Sequence, residues 1–471
     1  MQKIKTIIFL LIISQISFSQ KATERFKNNE LLKNANISLM IKNLSNGKVL
    51  AELNSHNSLI CASTLKTITT ASALELLGED YTIKTTLEID GNISSKGILN
   101  GDLIVKAAGD PTLGSEKSGD KDFFAKWINA IKQAGIQEIN GNIAVCESCF
   151  EKQLVNPGWT WEDMGNYYAP AIHALSYSDN TCKVVFQSGN INTTPQILRT
   201  EPAIQGLKFR NYVKSTATKS DNAYFYGIPY INERSVFGEI PANRNEFISK
   251  TDIPHPAEVF LKDFKTALDK NNIRFKGDLL VNDDNCRKFI IYTHNSPKLS
   301  EICTEINHQS NNHYAEYIFK QLSIGTNSPG NNQDSKSKIN NYWKSKGLST
   351  NELFQYDGSG LSPTNAVSAN FFVELLSYMY SKSKSFNAFY NTLPVSGESG
   401  TLKNFLSSTT LKGKVHAKSG TISRVKSYVG YIKINDQTLA FAVLVNNANG
   451  SSKEVTSKIE NLLVEVSSSF N

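Results

Sequence analysis

The sequence lacks features that would point to several common functional classes. Its positive charge is not gathered in a block: the formal net charge of +7 is spread along the chain, so a nucleic-acid surface is not indicated. The seven histidines form no His-x-x-x-His pair, and no second ligand pair at zinc spacing accompanies Cys146-x-x-Cys149. The sequence therefore predicts no metal site and no cofactor.

The chain is also not disordered in composition. It has 471 residues, of which 40% are hydrophobic and 10% aromatic. That is enough for two or three domains with apolar cores.

The N-terminal apolar run, Thr6 to Phe18, is too short to span a bilayer. It follows Lys3 and Lys5 and ends in small residues before Gln20, which is the pattern of a secretory signal peptide over residues 1–19. No cysteine lies near the expected cleavage point, so a lipid anchor is not indicated. We expect a soluble protein in the periplasm or another extracytoplasmic compartment, without a stable membrane anchor.

Cysteine is scarce, and its even number in an exported chain makes disulfides plausible without fixing their pairing. Cys146-x-x-Cys149 is compatible with a local disulfide, with two free thiols, or with redox or metal work. The six cysteines are Cys61, Cys146, Cys149, Cys182, Cys286 and Cys303.

A candidate nucleophile opens the apolar-periodic run from Ser63 to Leu77. In a helix, Ser63 and Lys66 are neighbours on one face, because residues at i and i+3 lie about 5–6 Å apart. Lys66 has to be neutral to accept the Ser63 proton, so its pKa has to fall through burial or through a nearby cation. We therefore expect the chain to bring a second cation close to this pair.

Ser-x-x-Lys is a weak signal by itself in a chain rich in both residues. The other copies lie mostly in polar or charged surroundings, which is typical of solvated surface residues. They are Ser45/Lys48, Ser118/Lys121, Ser335/Lys338, Ser381/Lys384 and Ser423/Lys426.

The second cation is predicted to be Lys418, in Lys418-Ser419-Gly420-Thr421 before a strand. Its ammonium and the Ser419 hydroxyl suit a carboxylate, the glycine allows a close backbone approach to a ligand, and the Thr421 amide suits an oxyanion. Lys117-Ser118-Gly119 competes but is followed by no strand, and we interpret it as a surface loop.

A third group, Ser310-x-Asn312, supplies a hydroxyl to relay a proton and an amide to orient Lys66 and hold a substrate carbonyl. The competitor Ser178-Asp179-Asn180 matches the usual Ser-Asp-Asn letters better. Since Ser310 precedes a helix within a helical region, whereas Ser178 leads into a strand of a predicted insertion, we favour Ser310.

Two further segments allow alternative interpretations. The aromatic loop from Trp159 to Tyr168 is compatible with the lining of a binding cleft and with a packing patch between domains. The amphipathic helix expected from Glu454 to Val466 is not notably basic, so packing on a sheet is favoured over a membrane-surface anchor.

Three groups in this order make the sequence resemble the penicillin-binding proteins, and specifically the D-alanyl-D-alanine carboxypeptidase/endopeptidases of low-molecular-mass class C. Two departures are Cys61, where that family often has proline, and Ser419, where threonine is commoner. The resemblance covers the mature chain and rests on Ala62–Lys66, Gly109–Leu113, Pro157–Asp163, Ser310–Glu316, Asp357–Leu361 and Lys418–Thr421.

The resemblance implies an α/β (α+β) fold: a penicillin-binding protein/β-lactamase-like transpeptidase domain with an antiparallel sheet and a helical subdomain, interrupted by nested insertions. Changes of pattern near Tyr81, Ala169, Thr251 and Phe289 agree with it. The expected domains are residues 20–83 with 289–471 (catalytic), 84–168 with 252–288 (first insertion, α+β) and 169–251 (second insertion, mostly β).

The resemblance also implies a serine-type peptidase that cleaves D-Ala-D-Ala stem peptides or cross-links of peptidoglycan and is inhibited by β-lactams. Ser63 would be acylated, Lys66 would be its base, and Ser310 with Asn312 would relay the proton and position the substrate. Lys418, Ser419, Gly420 and Thr421 would bind the carboxylate and the oxyanion, and Asp163 would contact the stem peptide.

Two other functions stay open at this stage. A serine β-lactamase or esterase would keep the fold and turn penicillin over rapidly. A non-catalytic cell-wall-binding protein would keep the fold alone, which is disfavoured because no motif residue is missing.

Overall fold

The computed structural model describes residues 19–282, 289–325 and 328–468. The predicted signal peptide, apart from its last residue, and Cys286 lie outside the described residues. Residues 19–27 are helical. The other helices are α1 Lys66–Leu77, α2 Phe123–Gln133, α3 Pro256–Lys270, α4 Leu299–His308, α5 Asn312–Gln321, α6 Asn332–Ser345, α7 Ala369–Lys382, α8 Phe386–Asn391 and α9 Ser452–Ser468.

The strands alternate with these helices along the chain. They are β1 Asn36–Asn43, β2 Val49–Leu53, β3 Leu59–Ile60, β4 Lys84–Ile93, β5 Ile98–Lys106, β6 Glu138–Asn140, β7 Ile143–Cys146, β8 Thr181–Ser188, β9 Gln196–Glu201, β10 Lys208–Asn211, β11 Lys214–Thr216, β12 Asn222–Tyr226, β13 Glu233–Pro241, β14 Arg244–Asp252, β15 Arg274–Phe275, β16 Leu279–Asn282, β17 Phe289–Asn295, β18 Leu353–Phe354, β19 Ala366–Val367, β20 Val415–Ile422, β21 Val425–Ile434 and β22 Gln437–Asn446.

The chain forms two compact units. Unit 1 contains the residues up to Tyr81, Leu299–Leu322 and the residues from Asn332 onward, and unit 2 contains Thr82–Lys298 and Ser323–Asn331. No helix among the described residues is long and apolar enough to cross a membrane.

An antiparallel sheet with the strand order β2-β1-β22-β21-β20 is the centre of unit 1. Nearly all of β22 is buried, which requires cover on both faces of the sheet. Helix α7 packs against β1 and β22, and α9 packs against β21. The expected combination of an antiparallel sheet with a helical region is confirmed.

Helix α9 settles one of the alternatives left by the sequence. Its apolar face is buried in the core of unit 1 beside residues of the sheet. Packing on the sheet, rather than lying on a membrane surface, is therefore confirmed for this helix.

Helix α1 carries the candidate nucleophile region and lies inside the helical part of unit 1. It packs against α4, α5, α7 and α8, and every residue from Lys66 to Leu74 is buried. Threonine hydroxyls inside the helix donate to carbonyls of the preceding turn, as Thr70 does to Lys66 at 2.7 Å, so their polar atoms are satisfied without water.

Unit 2 contains a seven-stranded mixed sheet in which β4 pairs with β5 and β17, and β5 with β6 and β7. Helices α2 and α3 pack on each other through an aromatic cluster that includes Trp127, Phe260 and Phe264. Two smaller sheets, β14-β8-β9 and β10-β13-β11 with β12, cover much of residues 169–251. The division of the insertion into two nested domains stays a prediction.

The structure differs from the sequence-based interpretation at Phe289, where a helical region was expected to begin. Residues Phe289–Asn295 form β17, which pairs antiparallel with β4 and belongs to unit 2. The alternation of aromatic and β-branched residues in this segment suits a strand, and its partner lies too far along the chain for local periodicity to reveal it.

Three cysteines answer part of the disulfide question. Cys61, Cys182 and Cys303 are buried free thiols, and burial raises the pKa of each. Their thiols are therefore protonated and shielded from reagents.

Candidate active site

The candidate nucleophile sits on a tight turn rather than inside the α-helix. Ala62–Leu65 form a 3₁₀ turn that continues into α1 at Lys66, whereas the sequence predicted a helix from Ser63 onward. Ala62 has φ = 48°, a left-handed conformation that a non-glycine residue adopts only when its surroundings impose it. This turn leaves Ser63 partly exposed beside the fully buried Lys66.

Lys66 contacts three oxygens from three parts of the chain. Its Nζ lies 2.9 Å from Ser63 Oγ, 2.7 Å from Asn312 Oδ1 and 2.6 Å from the Ser359 carbonyl oxygen. A neutral amine has two N–H donors and one lone pair, while the Asn312 and Ser359 carbonyl oxygens can only accept. Both hydrogens of a neutral Lys66 are therefore directed to those oxygens, and its lone pair is left for the Ser63 hydroxyl.

The protonation state of Lys66 suits this arrangement. Burial lowers the pKa of Lys66 to about 7, although the carboxylates of Asp357 and Glu316 act in the opposite direction. The shift expected from the sequence is thus present, and desolvation is its main cause. A substantial fraction of Lys66 is neutral near pH 7.

Glu316 fixes one of the acceptors of Lys66. Its carboxylate accepts the backbone N–H of Gly358 at 3.1 Å and that of Ser359 at 2.8 Å, which orients the loop that presents the Ser359 carbonyl. Burial and the nearby Asp357 raise the pKa of Glu316, so this acidic group weakens its own field on Lys66 by taking up a proton.

Asp357 holds the same loop from its other side. Its carboxylate accepts the backbone N–H of Gly360 at 2.7 Å and of Ser362 at 2.8 Å, and the side-chain amide of Asn365 at 2.9 Å. Gly360 has φ = 79°, and a Cβ there would lie 2.0 Å from the Ala62 carbonyl oxygen. The glycine therefore allows this loop to pass against the nucleophile turn.

Ser310 and Lys418 form the second polar pair of the site. Ser310 has φ = 58° in the short link between α4 and α5, and Asn312 is the first residue of α5. Lys418, buried on β20, lies with its Nζ 2.9 Å from Ser310 Oγ and 2.8 Å from the Ser419 carbonyl oxygen. Burial and the nearby Lys66 and Lys426 lower the pKa of Lys418 well below its ordinary value.

Strand β20 approaches the nucleophile turn at a glycine. A Cβ on Gly420 would lie 2.6 Å from the Cys61 carbonyl oxygen and 3.0 Å from the Thr64 nitrogen. The sequence predicted that this glycine makes room for a ligand, and in the structure it makes room for the backbone of the turn that carries Ser63. Ser427 Oγ donates to the same Cys61 carbonyl at 2.6 Å and ties the next strand to that turn.

The end of β20 presents hydroxyl groups. Ser419 Oγ donates to Thr401 Oγ1 at 2.9 Å, and Lys426 Nζ donates to Thr421 Oγ1 at 2.9 Å. These contacts place two hydroxyls and a second ammonium group next to the buried Lys418.

The competing motifs lie in unit 2, where each has its own structural contacts. Asn180 Oδ1 accepts the Tyr177 N–H at 2.9 Å and its amide donates to the Ala171 carbonyl at 3.0 Å, so Asn180 closes a local turn. Lys117, of the second Lys-Ser-Gly, pairs with Asp179 at 3.2 Å. Neither motif supplies a group to Ser63 in unit 1.

Asp163 also lies in unit 2 and is mostly buried. Its carboxylate accepts the Thr160 hydroxyl at 2.6 Å and the Thr160 N–H at 3.1 Å, and it raises the pKa of Tyr168 through a hydrogen bond. A role for Asp163 in substrate binding stays a prediction.

Sequence reasoning gave no role to Glu316, Ser359 or Thr401. Ser359 acts through a backbone carbonyl, which no side-chain pattern reveals. Glu316 and Ser359 do lie within the motifs Ser310–Glu316 and Asp357–Leu361, so the signal was present but not interpreted. Within the described ranges, no group of three or more His, Cys, Asp or Glu side chains is arranged to hold a metal ion.

Comparison with known proteins gives consistent results over the length of the chain. Residues 19–469 match the D-Ala-D-Ala carboxypeptidase 3 (S13) family. The chain is 28% identical over 432 residues to a D-alanyl-D-alanine carboxypeptidase of Actinomadura sp. (strain R39), covering 88% of this chain and 78% of that protein. It is 23% identical over 440 residues to the D-alanyl-D-alanine carboxypeptidase DacB of Haemophilus influenzae, covering 91% of this chain and 89% of that protein.

A solved structure shares the fold. The crystal structure of penicillin-binding protein 4 from Haemophilus influenzae superposes with a TM-score of 0.81 at 21% identity, covering 94% of this chain and 98% of that one. A second crystal structure of that protein, in complex with a β-lactam, gives a TM-score of 0.75 at 19% identity, with the same coverage.

Proposed function

The chain belongs to the D-Ala-D-Ala carboxypeptidase 3 (S13) family, and from this premise we propose how its residues carry out the reaction. The protein is a serine-type D-alanyl-D-alanine peptidase that acts on peptidoglycan. We propose that it removes the terminal D-alanine from stem peptides, hydrolyses D-alanyl cross-links, or does both, through an acyl-enzyme on Ser63.

One observation carries the proposal. Lys66 Nζ lies 2.9 Å from Ser63 Oγ, and its other two contacts are acceptors on Asn312 and Ser359. With a pKa of about 7, Lys66 is matched to a general base that works near neutral pH, since such a base is most effective when its pKa is near the working pH.

Acylation begins when the Ser63 oxygen attacks the carbonyl carbon of the penultimate D-alanine while its proton passes to Lys66. The negative charge that develops on the carbonyl oxygen is bound by the backbone amides of Ser63 and Thr421. As the C–N bond breaks, the departing D-alanine amine takes a proton from Ser310, which lies 2.9 Å from Lys418 Nζ. Ser63 is then held as an ester.

The terminal carboxylate of the substrate is bound by Lys418 and by the hydroxyls of Ser419 and Thr421. A carboxylate beside Lys418 favours the charged form of this lysine, so binding of the anionic substrate opposes the desolvation that lowers its pKa in the free protein. Asn312 holds the acyl-chain carbonyl. A water molecule then attacks the ester and releases Ser63.

Labelling with a fluorescent penicillin tests the assignment of the nucleophile. We expect the wild-type protein to form a stable covalent adduct and Ser63→Ala to form none while keeping the same melting temperature within a few degrees. An unlabelled wild type would refute the proposed activity, and label on Ser63→Ala would place the nucleophile elsewhere. Rapid turnover of the adduct would favour a β-lactamase instead.

Two finer assignments also belong to the proposal. Asp163 contacts the stem peptide, so Asp163→Asn should raise KM for a full stem peptide and not for a short acyl-D-Ala-D-Ala peptide. The leader over residues 1–19 directs the protein out of the cytoplasm, and N-terminal analysis of the protein purified from cells should find a chain that begins at or near Gln20.

A further inference from the structure

The outer face of the four-stranded sheet in unit 2 carries aromatic rings. Strands β12 and β13 pair antiparallel, with Tyr224 opposite Phe237. Residues two apart in a strand point to the same face, so the outward row of β12 is Asn222, Tyr224 and Tyr226, and the outward row of β13 is Ser235, Phe237 and Glu239. The alternate residues, such as Phe225 and Val236, are fully buried in the core beneath the sheet.

Five rings form this surface, and ring contacts join four of them into a row. Trp161 stacks on Tyr226 with ring centroids 5.5 Å apart and an interplanar angle of 12°, and Tyr212 stacks on Phe237 at 4.9 Å and 17°. Tyr226 and Phe237 are 5.7 Å apart. We call this surface the aromatic platform; its residues are Trp161, Tyr212, Tyr224, Tyr226 and Phe237.

The platform is exposed although apolar burial would stabilise the fold. The exposed fractions are 63% for Trp161, 54% for Tyr212, 49% for Tyr224 and 44% for Phe237. Single exposed aromatic residues are common, whereas a contiguous group of them marks a binding surface. Trp159 on the same loop is buried, so this loop contains one packing tryptophan and one that belongs to the platform.

We propose that the aromatic platform binds the sugar backbone of peptidoglycan, separately from the peptide chemistry at Ser63. A pyranose ring presents a face of C–H groups whose positive edge suits the negative face of an aromatic ring. Stacked rings such as Trp161 on Tyr226 are held flat, so little conformational entropy is lost when a sugar docks. The 4.9–5.7 Å steps along the row are of the same order as the distance between successive sugars of a glycan.

Polar groups on the same face support a sugar rather than an apolar protein partner. Asn222 lies opposite Glu239 at one end of the paired rows, and Ser235 lies opposite Tyr226 at the other end. At a short distance along β13, Glu233 pairs with Arg210 at 2.6 Å. Donors and acceptors of both kinds therefore border the rings, as the hydroxyl and amide groups of a glycan require.

The inference rests on the proposed function, because the D-Ala-D-Ala stem peptides are attached to glycan strands. An enzyme that engages a stem peptide meets the attached glycan at a high effective concentration, so even a weak site on the platform would increase its residence on the polymer. Short peptides without sugar would not use the platform.

Binding of glycan strands stripped of their stem peptides tests this inference. We expect the wild-type protein to bind these strands, with a change in tryptophan fluorescence, and Trp161→Ala and Phe237→Ala to bind about tenfold more weakly. Trp161→Phe keeps a ring at this position and should stay within about threefold of the wild type. Phe289→Ala, which removes an exposed ring of unit 2 outside the platform, is the matched control and should bind as the wild type does.

The outcomes separate this inference from the proposed function. Absence of binding to stripped strands by the wild type would overturn it, as would an equal loss in Phe289→Ala. Sedimentation that shows a dimer for the wild type and a monomer for Trp161→Ala would assign the platform to a second copy of the chain instead. Penicillin labelling of the same variants should match the wild type, and unlabelled wild type that still binds glycan would refute the activity and leave the platform standing.

Discussion

Lys66 Nζ and Asn312 Oδ1 lie 2.7 Å apart although 246 residues separate them in the chain. Because the amide oxygen can only accept, it takes one hydrogen of the lysine and helps to direct the lone pair of a neutral Lys66 toward Ser63. The contact therefore connects the protonation state of the base to its orientation.

Asn312→Asp tests this relationship. A carboxylate in place of the amide would stabilise the charged form of Lys66 and raise its pKa, so less neutral base would be present at pH 7. We expect the rate of penicillin acylation to fall by about 100-fold, within the range lost when a general base is disabled. Stopped-flow acylation measures it.

The control for this variant is Asn180→Ala, at the competing Ser178-Asp179-Asn180. Asn180 closes a turn in unit 2, so its loss should lower the melting temperature and leave the acylation rate of the folded protein unchanged. The reverse pattern would overturn the choice of Ser310 and Asn312 as the third group of the site.

The pH dependence of acylation follows from the state of Lys66. The pKa of Lys66 is about 7 because the lysine is buried, and only its neutral form accepts the Ser63 proton. The acylation rate should therefore rise with pH through a midpoint near 7 and level off above it. A rate that is flat from pH 5 to 9 would contradict Lys66 as the base.

Glu316→Gln should move that midpoint to lower pH. The Glu316 carboxylate raises the pKa of Lys66, and glutamine keeps an oxygen for the Gly358 and Ser359 N–H groups while removing the charge. Glu246→Gln changes an exposed carboxylate of unit 2 in the same way and should leave the midpoint where it is. pH–rate profiles of the three proteins make the comparison.

The sequence predicted the reacting side chains of the site better than their supports. Ser63, Lys66, Ser310, Asn312 and Lys418 come together in unit 1 as the spacing of motifs indicated. The 3₁₀ turn at Ser63 was not predicted, because an apolar pattern does not distinguish i→i+3 from i→i+4 backbone hydrogen bonds in so short a segment.

The missed supports have physical reasons of their own. Ser359 contributes a main-chain oxygen, and the value of Glu316 depends on two backbone N–H groups of a loop distant in sequence. In the fold, β17 was missed because its partner β4 is remote in sequence. Non-local pairing of this kind leaves little trace in a local pattern.

Gly420→Ala tests the close approach of β20 to the nucleophile turn. The added Cβ would lie 2.3 Å from Ser427 Oγ and 2.6 Å from the Cys61 carbonyl oxygen. The hydroxyl can rotate, whereas the carbonyl belongs to the backbone, so we expect the strand to shift, the free energy of unfolding to fall by about 1–3 kcal/mol, and acylation to slow by at least about tenfold.

The matched control is Gly450→Ala in the same unit, where the nearest atom to a new Cβ is 3.4 Å away. This variant should acylate at the wild-type rate. Equal acylation by Gly420→Ala and the wild type would mean that the site tolerates displacement of the strand.

The buried ion pair of Arg234 and Asp252 should determine much of the stability of unit 2. Arg234 Nε and the Asp252 carboxylate are 2.7 Å apart, and their side chains are 0% and 3% exposed. Arg234→Met would leave a buried carboxylate without its cation, and we expect a loss of about 3–5 kcal/mol in the free energy of unfolding. Urea denaturation followed by circular dichroism measures it.

A solvent-exposed ion pair of the same unit serves as the comparison for Arg234. Lys265 and Asp269 lie 2.7 Å apart at i,i+4 on α3 with both side chains about half exposed, and Lys265→Ala should cost less than about 0.5 kcal/mol. Similar losses in the two variants would show that the buried pair has no special role.

Thr401 is expected to position Ser419 for the substrate carboxylate. Ser419 Oγ donates to Thr401 Oγ1 at 2.9 Å, which leaves the lone pairs of the serine oxygen and its position fixed beside Lys418. Thr401→Val removes this acceptor, and we expect kcat/KM for an acyl-D-Ala-D-Ala peptide to fall by about three- to tenfold, as for the loss of one hydrogen bond, with most of the change in KM. Because the threonine acts through the serine, adding Thr401→Val to Ser419→Ala should cause little further loss. Fully additive losses would show that Thr401 acts independently of Ser419.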